Sequence, residues 1–263
     1  MSHERERCKL FVKKNRREAR HRVEKNLLVK HAVVVDLAEL RDQVAVFRDR
    51  SHAGKFLAGM LDSYGDTDAI VLAIPAGGVP VAAVIAEHLH LLLDVLVVSK
   101  ITLPWDTEAG YGAVAFDGSV RLNEKLLPRL GLSEGEIQQG IEKTFRKVSY
   151  RVKSLRGERA FPDLSKQTVI LVDDGLASGF TLLVGVEALC KARASQIVVA
   201  IPTGHWDSVQ MMARRVKAVY CANIRKGWSF AVADAYQRWS EVSDEEVLGI
   251  ITSMKRSWEE RMT

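Results

Sequence analysis

The chain has 263 residues, of which 47% are hydrophobic and 27% charged, and it contains 18 Gly and only 6 Pro. This composition excludes a disordered, collagen-like or disulfide-stapled protein, and the length favours one large α/β domain, alone or with a smaller appendage. No apolar run is long enough for a membrane span, and the first residues lack the apolar core of a secretory signal. Three widely spaced cysteines offer neither a disulfide framework nor a CxxC pair, so we expect a reducing, cytoplasmic setting.

The positive charge of the chain is concentrated at its N-terminus. The net charge is +5, but residues 1–30 carry 11 Lys or Arg against 4 Glu, which leaves a net charge of −2 for the rest. We therefore expect a basic arm over residues 1–32 and a folded domain over residues 33–263. The arm is either a solvated helix or extension, or a contact for RNA, an acidic partner or an anionic lipid surface.

From residue 33 onward, short apolar runs alternate with amphipathic segments, which is the pattern of βαβ units. The predicted strands span residues 33–35, 70–74, 93–99, 168–172, 196–201 and 217–221. The predicted helices span residues 44–61, 79–91, 133–155 and 181–190, with another between the last two strands. Because several strands are apolar along both faces, we expect a mainly parallel, twisted sheet flanked by helices.

Two segments interrupt this alternation. Residues 100–112 contain a Pro, two Gly and no periodicity, which predicts a long mobile loop of the kind that covers a site. Asp117 and Gly118 lie between two apolar runs and predict a β-hairpin turn. Ser133 and Glu136 then match a capping box, which predicts the start of a helix.

The segment richest in chemistry is VILVDDGLASGFT, at residues 169–181. A predicted buried strand ends in Asp173 and Asp174, and a short loop then presents backbone amides at the start of a helix. The loop suits a phosphate, because amides and the positive end of a helix attract anions and glycine allows close approach. The adjacent carboxylates suit a vicinal diol, since each can accept a hydrogen bond from a ribose hydroxyl. The segment therefore predicts a sugar-phosphate site.

Other interpretations of this strand find little support elsewhere in the sequence. A Walker B strand needs a Walker A loop, but the Gly54-Lys55 dipeptide is followed by Phe56 and has Asp49 where the first glycine belongs. A GxGxxG dinucleotide fingerprint is absent from the sequence. Ser178 has no partnering His close in sequence, which disfavours a hydrolase. An ordinary strand with solvated acids is the remaining alternative.

Residues 169–181 resemble the phosphoribosyl pyrophosphate (PRPP) signature of type I phosphoribosyltransferases: an apolar strand, two acids, and a small-residue loop ending in Thr or Ser. Gly175 and Phe180 depart from the commonest residues of that signature. Over about residues 45–250, the chain is similar to a bacterial and archaeal subgroup of phosphoribosyltransferases. The segments that carry this similarity are LAIPAGGVPVAAVIAEHL, LDVLVVSKI, EAGYGAV, LNEKLL and VDDGLASGFT. The resemblance implies a type I phosphoribosyltransferase-like fold with a small hood, expected over residues 222–240, and a homodimer.

The resemblance also implies roles for the residues of the signature. Asp173 and Asp174 would hold the ribose hydroxyls of PRPP and stabilise the positive charge that develops at the anomeric carbon. The 5'-phosphate would lie in the loop formed by Ala177, Ser178, Gly179, Phe180 and Thr181.

A second loop and its neighbours would serve the leaving group. Ala76, Gly77 and Gly78 match the pyrophosphate loop of the family, although the subgroup usually has Arg where this chain has Ala76. Lys100 either replaces part of the positive charge that the missing Arg would supply, or is a surface lysine. Glu108 lies in the expected mobile loop, which would close over the reacting centre and exclude water.

The implied reaction is displacement of pyrophosphate from PRPP by a nitrogen nucleophile, usually a base, through an oxocarbenium-like state. Mg²⁺ would travel on the PRPP oxygens, with contacts to Asp173 and Asp174 through water and no direct protein ligand. Trp228 or Phe230 in the hood would stack on the acceptor, unless these side chains belong to the core.

Two functions follow from the resemblance. The first is a phosphoribosyltransferase, a pentosyl-transferring glycosyltransferase of nucleotide metabolism that acts on PRPP and a nitrogenous base or related acceptor. The second is a non-catalytic PRPP or nucleotide sensor on the same fold, whose basic arm contacts RNA or a partner. Ala76 in place of Arg is the feature that favours the sensor.

Overall fold

A computed structural model describes residues 33–262, apart from the side chains of Thr107, Glu108, Arg261 and Met262. The basic arm predicted for residues 1–32 lies outside the described residues.

The described residues form two sheets. The strands are β1 (Val33–Val35), β2 (Ile70–Ala73), β3 (Leu92–Val95), β4 (Val98–Leu103), β5 (Asp106–Ala115), β6 (Val120–Leu122), β7 (Thr168–Val172), β8 (Gln196–His205) and β9 (Ala218–Arg225). Six of them form an all-parallel sheet in the order β1-β9-β8-β7-β2-β3. The strands β4, β5 and β6 form a separate antiparallel sheet. The expected α/β fold with a mainly parallel sheet is confirmed.

Helices cover both faces of the parallel sheet. They are α1 (Arg50–Met60), α2 (Gly78–His88), α3 (Glu134–Arg156), α4 (Phe180–Lys191), α5 (Trp206–Ala213) and α6 (Asp244–Met262). Alternate residues of β2 enter different cores: Val71 and Ala73 pack in the core of α1, α2 and α6, and Leu72 packs in the core of α4 and α5. This double burial is why the strands read as continuous apolar runs. Within residues 33–262, no helix has the length and apolar character needed to cross a bilayer.

The helix predicted over residues 44–61 begins later, at Arg50. Asp49 caps it, because its carboxylate accepts a hydrogen bond from the amide of His52 at 2.9 Å. The preceding residues are extended instead, and Phe47 forms a parallel bridge with Tyr236. The apolar spacing of this segment therefore reflects burial of an extended stretch as well as of a helix face.

The prediction of a mobile loop over residues 100–112 is wrong, because this segment lies in the antiparallel strand pair β4 and β5. Ile101 and Tyr111 are fully buried, which holds the pair against the core. Register shifts on either side of Thr102 break the alternation of side chains, so the segment lacks the period of a regular strand. The strand predicted over residues 93–99 is likewise divided between β3 and β4. The hairpin at Asp117-Gly118 and the capping box at Ser133 are confirmed.

A buried ion pair ties the end of α3 to the edge of the parallel sheet. The guanidinium of Arg156 binds the carboxylate of Asp94 on β3, with Nη2 2.8 Å from Oδ2, and the two side chains are only 5% and 12% exposed. The Cζ atom of Arg156 also lies 4.9 Å from the ring centre of Phe161. Removing Arg156 leaves the buried carboxylate of Asp94 with only the more distant and exposed guanidinium of Arg159, at 3.9 Å.

We expect Arg156→Ala to lower the free energy of unfolding by about 3 kcal/mol, measured by urea denaturation. The control is Arg146→Ala, which removes an arginine 77% exposed and paired with Glu142 on the same helix. This control should change stability by less than about 0.5 kcal/mol. Equal effects of the two substitutions would show that the buried pair does not stabilise the fold.

Candidate active site

The paired acids lie at the carboxyl edge of the parallel sheet, directly after β7. The amide of Asp174 donates a hydrogen bond to Oδ1 of Asp173 at 2.9 Å, so the backbone of one acid contacts the carboxylate of the other. Burial and the charge of Asp174 raise the pKa of Asp173 well above its ordinary value, against the opposing charges of Arg50 and Lys100. Burial also raises the pKa of Asp174, although Arg50 opposes the rise. A ligand that brings positive charge or hydroxyl donors relieves this repulsion.

Arg50 is a residue of this site that the sequence analysis missed. It is the first residue of α1 and is only 9% exposed. Its Nε and Nη2 atoms lie 3.0 and 2.9 Å from Oδ2 of Asp174, and its Nη1 donates to the carbonyl of Ser240 at 2.8 Å. Arg50 and Asp174 are 124 positions apart, so no local pattern could reveal their contact.

The predicted pyrophosphate loop lies against the same acids. Ala76 and Gly77 connect β2 to α2, which begins at Gly78, and the Pro75–Ala76 peptide bond is cis. A Cβ atom on Gly77 would lie 1.9 Å from Oδ2 of Asp174. One on Gly78 would lie 3.0 Å from the Cα atom of Asp173. Only glycine permits such a close approach, so the two small residues are what bring this loop to the acids.

The predicted phosphate loop forms the start of α4. Gly179 caps the helix with φ of +75°, and Phe180 and Thr181 are its first two residues. Within residues 33–262, the amides of Ala177, Ser178 and Gly179 make no hydrogen bond. The loop thus offers free amides at a helix N-terminus, which is the arrangement that binds phosphate.

Lys100 and Glu108 lie on the antiparallel sheet. The side chain of Lys100 covers Gly110, because a Cβ atom on Gly110 would lie 2.9 Å from Cδ of Lys100. Burial raises the pKa of Asp173, and the charge of Lys100 lowers it by a smaller amount. Glu108 belongs to β5, but its side chain is outside the described part of the structure. Lys100 is near enough for its charge to act on Asp173, and the roles predicted for Lys100 and Glu108 stay predictions.

The segment expected to form the hood begins inside the core sheet, because β9 extends to Arg225. Trp228 follows β9 and is fully exposed. Phe230 packs beside His205, with ring centres 5.8 Å apart. The Cζ atom of Arg225 lies over the ring of Phe230, 4.3 Å from its centre. The stacking role predicted for Trp228 and Phe230 therefore stays a prediction.

Two other aromatic residues of this segment contact the acidic site. The hydroxyl of Tyr236 donates to the backbone carbonyl of Asp174 at 2.6 Å. The ring of Trp239 lies 3.9 Å from Cζ of Arg50, at stacking distance. Neither of these rings was identified from the sequence, and the aromatic candidates predicted in this segment were Trp228 and Phe230.

Gly175, which departs from the family signature, is explained by its neighbour Val232. A Cβ on Gly175 would lie 2.4 Å from Cγ1 of Val232, in the short 3₁₀ helix Val232–Ala235. The valine thus occupies the space that a larger side chain at residue 175 would fill. This contact joins the segment after β9 to the loop that carries the acids.

We expect Gly175→Ala to lower the free energy of unfolding by about 2 kcal/mol, because the added methyl group overpacks this contact. In a protein that already carries Val232→Ala, the same substitution should lower the free energy of unfolding by less than about 1 kcal/mol. Urea denaturation of the four proteins of this double-mutant cycle measures the coupling. Purely additive effects would contradict the contact.

The structure brings two adjacent acids, two glycine-containing loops and a buried arginine together at one edge of a parallel α/β sheet, and the comparisons with known proteins identify the family. The model of the phosphoribosyl transferase domain matches residues 48–235, so the chain belongs to this family. This confirms the resemblance seen in the sequence.

Individual relatives agree with this assignment. A Mycobacterium tuberculosis protein (strain H37Rv) named "Putative phosphoribosyl transferase Rv0571c" is 31% identical over 215 residues, which are 82% of this chain and 48% of the relative. Its counterpart in strain CDC 1551 matches equally. The chain thus spans about half the length of these curated relatives. The crystal structure of TT1426 from Thermus thermophilus superposes with a TM-score of 0.62 at 29% identity, covering 79% of this chain and 98% of that one.

Proposed function

We propose that this chain transfers the 5-phosphoribosyl group of PRPP to a nitrogenous base or related acceptor and releases pyrophosphate. The observation that carries the proposal is the position of Asp173 and Asp174 between the loop at residues 76–78 and the loop at residues 177–181, at one edge of the sheet. PRPP has the same order of groups, since its diol lies between a 5'-phosphate and a 1-diphosphate. Residues 177–181 would hold the phosphate, and residues 76–78 the diphosphate.

The carboxylates would act on the charge of the reacting sugar. As the acceptor nitrogen forms its bond to C1, the bond from C1 to the diphosphate oxygen breaks and its electron pair leaves with pyrophosphate. Positive charge builds on the ring during this exchange, and the charges of Asp173 and Asp174 favour it. Burial raises the pKa of both acids, and the charge of Asp174 raises that of Asp173 further, so positive charge on a bound ligand would favour their ionised forms.

The donor set is compatible with magnesium carried by the substrate. Among the described residues, no group of three or more His, Cys, Asp or Glu side chains could hold a metal ion by itself. Mg²⁺ commonly binds one or two carboxylates together with substrate phosphates and several waters, and Asp173 and Asp174 are such a pair. Bound with PRPP, Mg²⁺ would neutralise charge on the leaving diphosphate.

The sequence indicates Trp228 and Phe230 as candidates to stack on the acceptor. Trp228 is the better candidate to stack on the acceptor, because its side chain is exposed whereas Phe230 already packs against Arg225. A cytoplasmic setting, a homodimer, and an RNA contact through residues 1–30 stay predictions.

The proposal is tested by measuring pyrophosphate release from Mg²⁺ and PRPP with a panel of purine and pyrimidine bases and their analogues. We expect acceptor-dependent release for at least one member of the panel, with kcat of about 10 s⁻¹. A reaction without acceptor is the control for simple hydrolysis. Binding of PRPP without release for any acceptor would contradict the transferase and support the sensor.

A further inference from the structure

The loop proposed to hold the diphosphate contains no charged side chain. Residues 76–78 are Ala-Gly-Gly, yet a diphosphate carries several negative charges. Backbone amides alone bind such a group less strongly than amides with a cation. We propose that Arg50 binds the diphosphate of PRPP and supplies this missing charge, an inference that rests on the proposed function.

Arg50 lies directly against the loop proposed to hold the diphosphate. A Cβ atom on Gly77 would lie 3.3 Å from Nε of Arg50 and 1.9 Å from Oδ2 of Asp174. The guanidinium and the bare backbone of Gly77 therefore lie side by side. A diphosphate bound over this backbone is within reach of the guanidinium.

Arg50 also has hydrogen-bond donors left for a ligand. A guanidinium has five N–H groups. Nε donates to Oδ2 of Asp174 and Nη1 donates to the carbonyl of Ser240, while Nη2 lies 2.9 Å from the same Oδ2 as an ion pair. At least two N–H groups, one on each Nη atom, thus have no acceptor among residues 33–262. They can bind diphosphate oxygens while the contacts to Asp174 and Ser240 persist.

The orientation of the guanidinium is fixed before any ligand binds. Trp239 covers one face at 3.9 Å, and the ring centre of Tyr236 lies 5.9 Å away. Asp174 and Ser240 hold its edge. A planar group held in this way loses little conformational entropy when it binds a phosphate.

Two other cations near the site have different contacts. Arg151 donates to the carbonyl of Pro75 at 3.4 Å and pairs with Asp244 on α6, so it supports the loop backbone. Lys100 acts on Asp173. Arg50 is the cation that lies against Gly77.

The test is calorimetric titration of the full chain with two separate ligands, Mg²⁺-pyrophosphate and ribose 5-phosphate. We expect Arg50→Gln to weaken pyrophosphate binding by about 30-fold and ribose 5-phosphate binding by less than about 3-fold. Arg50→Lys keeps the charge without the planar fork and should weaken pyrophosphate binding by only about 5-fold. The matched control is Arg48→Gln, which removes an arginine 57% exposed just before the same helix and should affect neither ligand by more than about 3-fold.

Two results would overturn the role of Arg50 while leaving the proposed function standing. One is pyrophosphate binding by Arg50→Gln as tight as that of the original protein. The other is an equal loss of both ligands, which would mean that Arg50 acts only through Asp174. If Arg50→Gln does not fold, as judged by circular dichroism, Arg50→Lys decides between the same outcomes. Failure of the original protein to bind either PRPP or pyrophosphate would instead refute the proposed function, and this inference with it.

Discussion

Replacing Asp173 with Asn should lower kcat for pyrophosphate release by about 10³-fold. The substitution keeps the shape of the side chain and the oxygen that accepts from the amide of Asp174. It removes the negative charge that favours positive charge on the ribose in the transition state, and such electrostatic contributions are worth about 10²–10³-fold in rate. Steady-state rates at saturating Mg²⁺, PRPP and acceptor measure the effect.

The same substitution should stabilise the free protein. Burial and the neighbouring Asp174 raise the pKa of Asp173 above its unfolded value, so the folded state binds more protons than the unfolded state between these two pKa values. Stability is therefore lost as pH rises through this window. At pH 8, Asp173→Asn should raise Tm by about 3 °C, and the gain should largely disappear by about pH 3, below the unfolded pKa of about 3.9, where aspartate is mostly protonated in both states.

The matched control for both measurements is Asp62→Asn. Asp62 is exposed and pairs with His88, away from the site. Its replacement should leave both kcat and Tm nearly unchanged. An Asp173→Asn protein with normal turnover would refute the catalytic role of this carboxylate. A lower Tm at pH 8 would refute the account of its charge.

Replacing Gly77 with Ala should weaken the binding of Mg²⁺-PRPP by about 10²-fold. The new methyl carbon would lie 1.9 Å from Oδ2 of Asp174, so this carboxylate has to move, and Arg50 is bound to the same oxygen. Misplacement of a site group by about 1 Å is sufficient for a loss of this size. Calorimetric titration measures the affinity directly.

Gly59→Ala on α1 is the control for this substitution. A Cβ on Gly59 would have no atom within 4 Å, and the residue lies inside a helix, where alanine is favoured over glycine. We expect unchanged PRPP affinity and a gain of about 0.5 kcal/mol in stability. Tight PRPP binding by Gly77→Ala would place the diphosphate away from this loop.

The parallel sheet and the phosphate-binding elements could be predicted from the sequence because their signals are local. Apolar strands buried on both faces give continuous runs such as IVLA at residues 70–73, and the turn after β7 carries acids and a glycine in a fixed order. The capping box at Ser133 is a signal of the same kind. Each of these features is encoded by a segment of about a dozen residues or fewer.

The parts that the sequence did not predict depend on distant contacts or on irregular geometry. The ion pair between Arg50 and Asp174 joins residues 124 positions apart, and nothing near Arg50 distinguishes it from an exposed arginine. The strand pair β4 and β5 contains register shifts that hide its period. The position of Trp239 on Arg50 follows from how residues after β9 fold back over the acids, which no periodicity encodes.

The most direct test of the central claim is calorimetric titration of the full chain with Mg²⁺-PRPP, compared with the Asp173→Asn, Asp174→Asn double variant. We predict binding at one site per chain in the original protein and a loss of at least about 10²-fold in affinity in the double variant. Equal binding by both proteins would show that PRPP does not bind at the carboxyl edge of β7. No binding by the original protein would contradict the proposed function itself.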